Sequence, residues 1–215
     1  MSGLDDFSYI ALEGPIGVGK TSLARILAER LNARLILEEV EDNPFLEDFY
    51  QDPRRLAFQT QVYFLIARYK QQTQIAQRDL FHKLTIADYM FEKDRIFARL
   101  NLNDDEFSLY NRLQPLLAAK IPQPELVILL QAHPDVLISR IRRRSKKFEE
   151  PMTRDYLRQV VDAYDRYFFD YSAAPRLVIN TNEVDFTTDK VNVDHLIRQL
   201  DRIEEKVQYY VPTKQ

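Results

Sequence analysis

With 215 residues, 45% of them hydrophobic, the chain is long enough to fold as one domain of the larger α/β kind around a full core. A formal net charge of −3 gives no electrostatic reason to expect nucleic acid or an anionic membrane as partner. The absence of cysteine excludes disulfides and thiolate metal sites and suits the cytoplasm.

Residues 1–7 are polar and acidic without a signal-peptide pattern, and no apolar run approaches the ~20 residues of a membrane span. Tyr9, Ile10, Ala11 and Leu12 read as a short buried strand. Gly14-Pro15-Ile16-Gly17-Val18-Gly19-Lys20-Thr21-Ser22 follows and fits G-x-x-x-x-G-K-[ST], the phosphate-binding loop. Leu23, Ile26, Leu27 and Leu31 then recur at helical spacing, so the loop joins a strand to a helix, as the motif requires. Its amides can curl inward, and the helix adds its positive dipole end. Lys20 is expected at the β- and γ-phosphates, and the Thr21 hydroxyl on Mg²⁺.

A second strand at 34–40 ends in Glu38 and Glu39, where open α/β sheets bind ligands. Asp42-Asn43-Pro44 breaks the chain, and Phe45, Leu46, Phe49 and Tyr50 suggest a short helix with an aromatic face. A long helical pattern runs from 56 to about 76. On it Gln61, Leu65 and Arg68 share one face, which is either a solvated edge or a set of polar readers in a pocket. A third strand, 84–88, ends in Asp88, placed to hold Mg²⁺, to cap the next helix, or both. Helices are expected over 89–100, with Lys93, Asp94 and Arg95, and from 104 to about 120, before Pro122 and Pro124. Leu126 to Leu130 is the most apolar run and reads as a central parallel strand buried on both faces.

Pro134 opens a helix that carries Arg140, Arg142, Arg143, Arg144, Lys146 and Lys147. Such a cluster can be a solvated face, a nucleic-acid contact or a phosphate-clamping lid; the upstream phosphate loop favours a lid at about 140–150. An aromatic helix at 153–171, a fifth strand at 176–180, a loop at 183–186 and an amphipathic helix from 193 to about 207 complete the chain. Strands alternate with helices, so the class is α/β with a parallel sheet, in a single domain spanning 1–215.

From residue 9 to about 200 the chain resembles the deoxynucleoside kinase family, most closely its bacterial members acting on deoxyadenosine and deoxyguanosine. Glu38-Glu39-Val40, Asn43-Pro44-Phe45 and Phe49-Tyr50 are similar to the family's Glu-Pro-Val segment and the tyrosine after it. The resemblance implies Glu38 as general base for the 5′-hydroxyl, Tyr50 at the sugar 3′-hydroxyl and Gln61 on the base. It implies Arg68 and Asp94 as a base-reading pair, with Phe97 flanking the base. Arg140, Arg144 and Lys146 resemble the lid's basic triplet, with lysine where arginine is usual, and Glu149 a lid acid at the 3′-hydroxyl. Glu183 to Phe186 resembles the loop that holds the ATP adenine. The implied fold is a phosphate-loop kinase with a five-stranded parallel sheet flanked by helices and a basic lid, as a homodimer packed through helices.

Two departures stand out. The family's Asp/Glu-Arg-Ser after the third strand is Asp88-Tyr89-Met90 here, so the arginine beside the 5′-oxygen is missing; Lys93 or Arg95, or Arg142 or Arg143, are the cations available to replace it. Glu39 stands where the family has proline. The expected activity is Mg-ATP-dependent phosphorylation of a deoxynucleoside 5′-hydroxyl. Thymidine is disfavoured because it has no exocyclic amine for Asp94, and purine deoxynucleosides or deoxycytidine are preferred. A nucleoside monophosphate kinase of the thymidylate-kinase type shares the loop and lid, but needs a cation where Glu38 stands. A non-catalytic nucleotide-binding protein is the third reading, favoured by Tyr89.

Overall fold

The computed structural model of the chain describes residues 3–75, 81–186, 190–203 and 205–212. Met1, Ser2 and Ala76, which bound two of the expected segments, lie outside the described residues. The strands are β1 (Tyr9–Glu13), β2 (Arg34–Ile36), β3 (Thr85–Ala87), β4 (Leu126–Gln131), β5 (Arg176–Asn180) and β6 (Val207–Tyr210). They form one sheet in the order β2-β3-β1-β4-β5-β6, parallel throughout. The helices are α1 (Lys20–Arg30), α2 (Leu46–Gln51), α3 (Pro53–Thr73), α4 (Lys93–Asn101), α5 (Asp104–Ala118), α6 (Pro134–Arg144), α7 (Arg154–Phe169) and α8 (Lys190–Leu200). Among the described residues no helix is long and apolar enough to cross a membrane.

Side chains alternate across a strand, so a sheet covered on both faces needs apolar residues at every position. In β1 and β4, Ile10, Leu12, Ile128 and Leu130 join Leu23, Leu27, Leu137 and Leu196 in the core beneath α1, α6 and α8. Tyr9, Ala11, Val127 and Leu129 join Ile96, Val160, Tyr164 and Phe168 beneath α4 and α7.

The five strands expected become six. The last helix ends at Leu200, not near 207, and Val207–Tyr210 lies alongside β5, Arg176 opposite Val207 and Ile179 opposite Tyr210. Valine and tyrosine favour the pleated surface, and the open flank of β5 offers a partner. The second strand is shorter than its apolar run: it ends at Ile36, and 37–42 crosses the carboxyl edge of the sheet. The fourth helix starts at Lys93 rather than 89. Residues 88–92 turn over the end of β3 because the Met90 amide is held by the buried Glu13 carboxylate at 2.8 Å. Glu13 also accepts from the Tyr164 hydroxyl at 3.0 Å, which ties the foot of the phosphate loop to α7.

Two glycines let that loop press into the fold. Gly14 has φ +143°, and a Cβ there would stand 2.3 Å from the Leu130 carbonyl oxygen. At Gly17, φ +83°, it would stand 2.8 Å from Ile141 of α6. The helical pair α3 and α5 meets through Leu65 and Tyr110. On the outside of the pair Ile66, Leu109, Leu113 and Leu116 are exposed.

Candidate active site

Three segments converge beyond the carboxyl ends of β1, β2 and β3: the phosphate loop, 37–42 and 88–93. With α3 and the segment after α6 they enclose a cavity of about 390 Å³, a size suited to a small-molecule ligand. At the loop, the Lys20 ammonium lies 2.6 Å from the Gly14 carbonyl oxygen and 3.1 Å from that of Pro15. These partners are uncharged. Burial, and then the nearby Lys93 charge, push the Lys20 amine down to about 8. The Thr21 hydroxyl donates to Asp88 at 2.5 Å, and the other Asp88 oxygen accepts from the Glu38 amide at 2.7 Å. Burial pushes the Asp88 carboxyl up.

Glu38 stands between the loop and the cavity. Arg68 donates to its Oε1 from Nε at 2.9 Å and from Nη2 at 2.5 Å, and Lys93 donates to its Oε2. Burial works to raise its pKa; Lys93 and Arg68 overcome that and hold the carboxyl well below the usual carboxylate range. Arg68 turns its remaining Nη1 to Asp94. The other Asp94 oxygen accepts from the Tyr110 hydroxyl at 2.7 Å. Gln61 Nε2 donates to the Asp94 side chain at 3.2 Å and to its backbone oxygen at 3.1 Å. Reversing the Gln61 amide would set oxygen against two acceptors, so Asp94 fixes its orientation and leaves its carbonyl oxygen to the cavity.

Gln61, Arg68, Phe97 and Tyr50 all line the cavity. Asp94 does not: it is 0% exposed and lies behind Gln61 and Arg68. Its partner Tyr110 was expected only as an apolar position on α5, and nothing local in the sequence couples two helices sixteen residues apart. Glu39 is exposed at the rim while Glu38 points inward. Tyr89, at the position where the resemblance implies an arginine, is buried and donates to Gln71 at 2.7 Å. Of the four candidate replacements, Lys93 is buried on Glu38, Arg95 and Arg142 are exposed, and Arg143 pairs with Asp185 at 2.9 Å.

The segment after α6 is folded down over the cavity. Arg144 holds Glu149 through both oxygens, Phe148 stacks on Tyr50 at 6.5 Å, and Lys146 reaches Glu41 at 2.6 Å. Arg140 is engaged elsewhere: it donates to the carbonyls of Val18 (3.2 Å), Thr181 (2.5 Å) and Val184 (3.1 Å). It thereby clamps the loop after β5 against the phosphate loop. A second cavity of about 210 Å³ lies there, lined by Val18, Ser22, Arg140 and Phe186. Glu183 is exposed just outside it, in a shallower depression with Asn182 and Asp185.

A deoxynucleoside kinase family model matches residues 10–205. The chain belongs to the deoxynucleoside kinase family. It is 34% identical to a deoxyguanosine kinase of Bacillus subtilis, over 87% of this chain and 93% of that protein. It is 31% identical to a deoxyadenosine kinase of Lactobacillus acidophilus, over 89% of this chain and 94% of that protein. In fold it is similar to a deoxyadenosine kinase from M. mycoides solved with dATP bound, with TM-score 0.79 and 24% identity, covering 90% of this chain and 100% of that one.

Breaking a buried pair leaves an uncompensated charge, whereas an exposed pair contributes little. Asp94→Ala is expected to lower unfolding stability by about 3–5 kcal/mol in urea. Asp194→Ala, which removes the exposed partner of Arg30, is expected to change it by no more than about 1 kcal/mol. Equal losses would show that the Arg68–Asp94 pair does not hold the helices together.

Proposed function

We propose that the chain transfers the γ-phosphoryl group of ATP to the 5′-hydroxyl of a deoxynucleoside. The observation that carries this reading is the Glu38 carboxylate, inward-facing and beside the phosphate loop, at the mouth of a nucleoside-sized cavity. Phosphoryl transfer needs positioning and charge neutralisation more than covalent help. Lys20 and the amides of 14–22 hold the phosphates, with the helix dipole of α1 behind them. Thr21 and Asp88 converge on one point with hard oxygen ligands, a donor set that fits Mg²⁺ completed by water and phosphate. Among the described residues no cluster of acidic or histidine side chains could hold a metal without such help. When bound, Mg²⁺ neutralises charge on the β- and γ-phosphates.

Glu38 accepts the 5′-hydroxyl proton as the 5′-oxygen bonds to the γ-phosphorus and ADP leaves with its bridging oxygen. Arg144 and Lys146 face the same cavity and supply further positive charge, and the folded-down lid keeps water from taking the phosphoryl group. Arg140 acts one step removed, by shaping the adenine loop at 183–186. In the acceptor site Tyr50 and Glu149 meet the sugar, Phe97 flanks the base, and Gln61 offers its carbonyl oxygen to a donor on the base. Arg68 supplies the complementary donor, and Asp94 positions both. A nucleoside monophosphate would bring its phosphate against Glu38, with Arg68 and Lys93 already paired. A cysteine-free chain that draws on ATP fits the cytoplasm.

Labelled ATP supplied with the four deoxynucleosides and their monophosphates decides the reading. Transfer to deoxyguanosine or deoxyadenosine is expected, with no transfer to monophosphates; because Asp94 lies outside the cavity, it does not itself reject thymidine as the sequence reading expected. Transfer to monophosphates alone would overturn it.

Glu38→Gln keeps the side-chain shape but cannot take a proton, so kcat should fall about 10²-fold or more with modest change in KM. Glu39→Gln should stay near wild type. A large loss at Glu39 alone would move the base by one residue.

The exposed stripe Ile66, Leu109, Leu113 and Leu116 on α3 and α5 supports a homodimer, because residues at such spacings share a helix face. Light scattering should give twice the chain mass, and Leu116→Glu should halve it. An unchanged mass in that variant would rule out this face.

A further inference from the structure

Lys93 is an unusual lysine, since lysines are rarely buried unless paired. It is 5% exposed and opens α4. Its ammonium carries three donors. Among the described residues its one hydrogen-bond partner is Glu38 Oε2, and its ion pair is with Glu38 alone. What surface it keeps belongs to the cavity that Lys20, Thr21 and Asp88 also line.

The two cations on Glu38 are held differently. Arg68 is pinned: its guanidinium bonds Glu38 and Asp94 at once and lies 4.7 Å over the Phe64 ring. Lys93 has a flexible stem, one carboxylate oxygen, and the Phe97 ring 5.7 Å away. Both Glu38 oxygens are therefore held by charged donors, Oε1 by two N–H groups of Arg68 and Oε2 by the Lys93 ammonium, and drawing Lys93 away raises the basicity of the oxygen that faces the cavity. The donor free to leave is Lys93, and the ligand that would draw it is the most negative one to enter the cavity.

We propose that Lys93 is a catalytic residue that passes from Glu38 to the transferring phosphoryl group when ATP and deoxynucleoside are both bound. The inference rests on the kinase reading above. Lys93 exchanges no proton. The 5′-hydroxyl proton goes to the Glu38 Oε2 that it vacates, the 5′-oxygen bonds to the γ-phosphorus, and the bond to the leaving oxygen breaks with its electron pair staying on ADP. The ammonium follows the negative charge onto the phosphoryl oxygens. One movement thus frees the base and stabilises the transition state, and it gives the chain the cation that Tyr89 cannot supply.

A double-mutant cycle tests this against the alternative that Lys93 is only a counter-ion for Glu38. Lys93→Met should lower kcat about 10²-fold or more, with the deoxynucleoside KM changed less than about 3-fold, and Lys93→Arg should recover at least about 10-fold. In a Glu38→Gln background there is no carboxylate to neutralise, so a counter-ion would be dispensable. Lys93→Met is expected to cost at least a further 10-fold there, because the contact to the phosphoryl group is lost. The double variant buries no unpaired carboxylate, so it keeps the test decisive even where Lys93→Met alone unfolds. If the second substitution in that background leaves kcat unchanged, the transfer of Lys93 to the phosphoryl group is overturned while the kinase reading stands. If the wild-type protein phosphorylates no deoxynucleoside at all, the kinase reading fails first and this inference with it.

Discussion

A carboxylate buried beside a phosphate loop must be paired, and the arrangement of this active site follows from that constraint. Glu38 leaves the sheet just past β2, where α3 and α4 close over it, and an isolated charge there would cost several kcal/mol. Arg68 answers from α3 and Lys93 from α4. Burying Arg68 in turn calls for Asp94, and Asp94 for the Tyr110 hydroxyl on α5 and the Gln61 amide on α3. The chain of donors ends only where every oxygen is satisfied. It also sets the binding surface: Gln61 and Arg68 face the cavity in orientations chosen by a carboxylate that itself never reaches it.

Glu13 applies the same rule to the other half of the site. It is fully buried one residue before Gly14, and it accepts from the Gly14 and Met90 amides and from Tyr164. Burial pushes its carboxyl up, and the Lys93 and Lys20 charges, then the Met90 and Gly14 amides, work against that. The Met90 bond anchors the turn ahead of α4, with Asp88 facing Thr21 and Lys93 at the start of α4 aimed at Glu38. Glu13, the last residue of β1, thus registers the phosphate site against the acceptor site.

Local features were legible in the sequence and distant contacts were not. The phosphate loop declares itself because its glycines, lysine and threonine are contiguous between a strand and a helix. β4 declares itself because a strand covered on both faces is apolar at every position. The sixth strand was hidden because Val207–Tyr210 is half-exposed at an edge and follows directly on an amphipathic helical pattern. Among site residues, Glu38 could be placed beyond a strand end by its position, whereas spacing left the shared face of Gln61 and Arg68 open between a solvated edge and a pocket, and only the family resemblance put them at the substrate. The roles of Tyr110, Glu41 and Thr181 depend on contacts spanning sixteen, one hundred and five, and forty-one residues, which no local pattern encodes. Arg140 illustrates the opposite limit. Its basic cluster is plain in the sequence, but only the loop after β5 reveals that its guanidinium is spent on carbonyl oxygens.

The distribution of charge sets what a bound polyphosphate would still lack at this site. Its buried cations, Arg68 and Lys93, are already matched by Glu38 and Asp94, and Lys20 stands near Glu13 and Asp88. Among the described residues that leaves Lys20, bonded only to carbonyl oxygens, as the interior cation for a polyphosphate. The missing charge has to arrive with the nucleotide or from the surface. On the proposed reading Mg²⁺ would come by the first route, held by Thr21 and Asp88. Arg144 and Lys146 come by the second, and both are held in waiting by carboxylates, Glu149 and Glu41. The Lys146–Glu41 pair is exposed on both sides, and an exposed pair contributes about 0–1 kcal/mol, so it yields readily to a phosphate. Arg144 is as exposed as Lys146, but its partner Glu149 is buried and accepts two of its donors, so that pair is the firmer of the two. The lid is therefore tied down by one strong contact and one weak one, and the weak one carries the charge that a bound phosphate can claim.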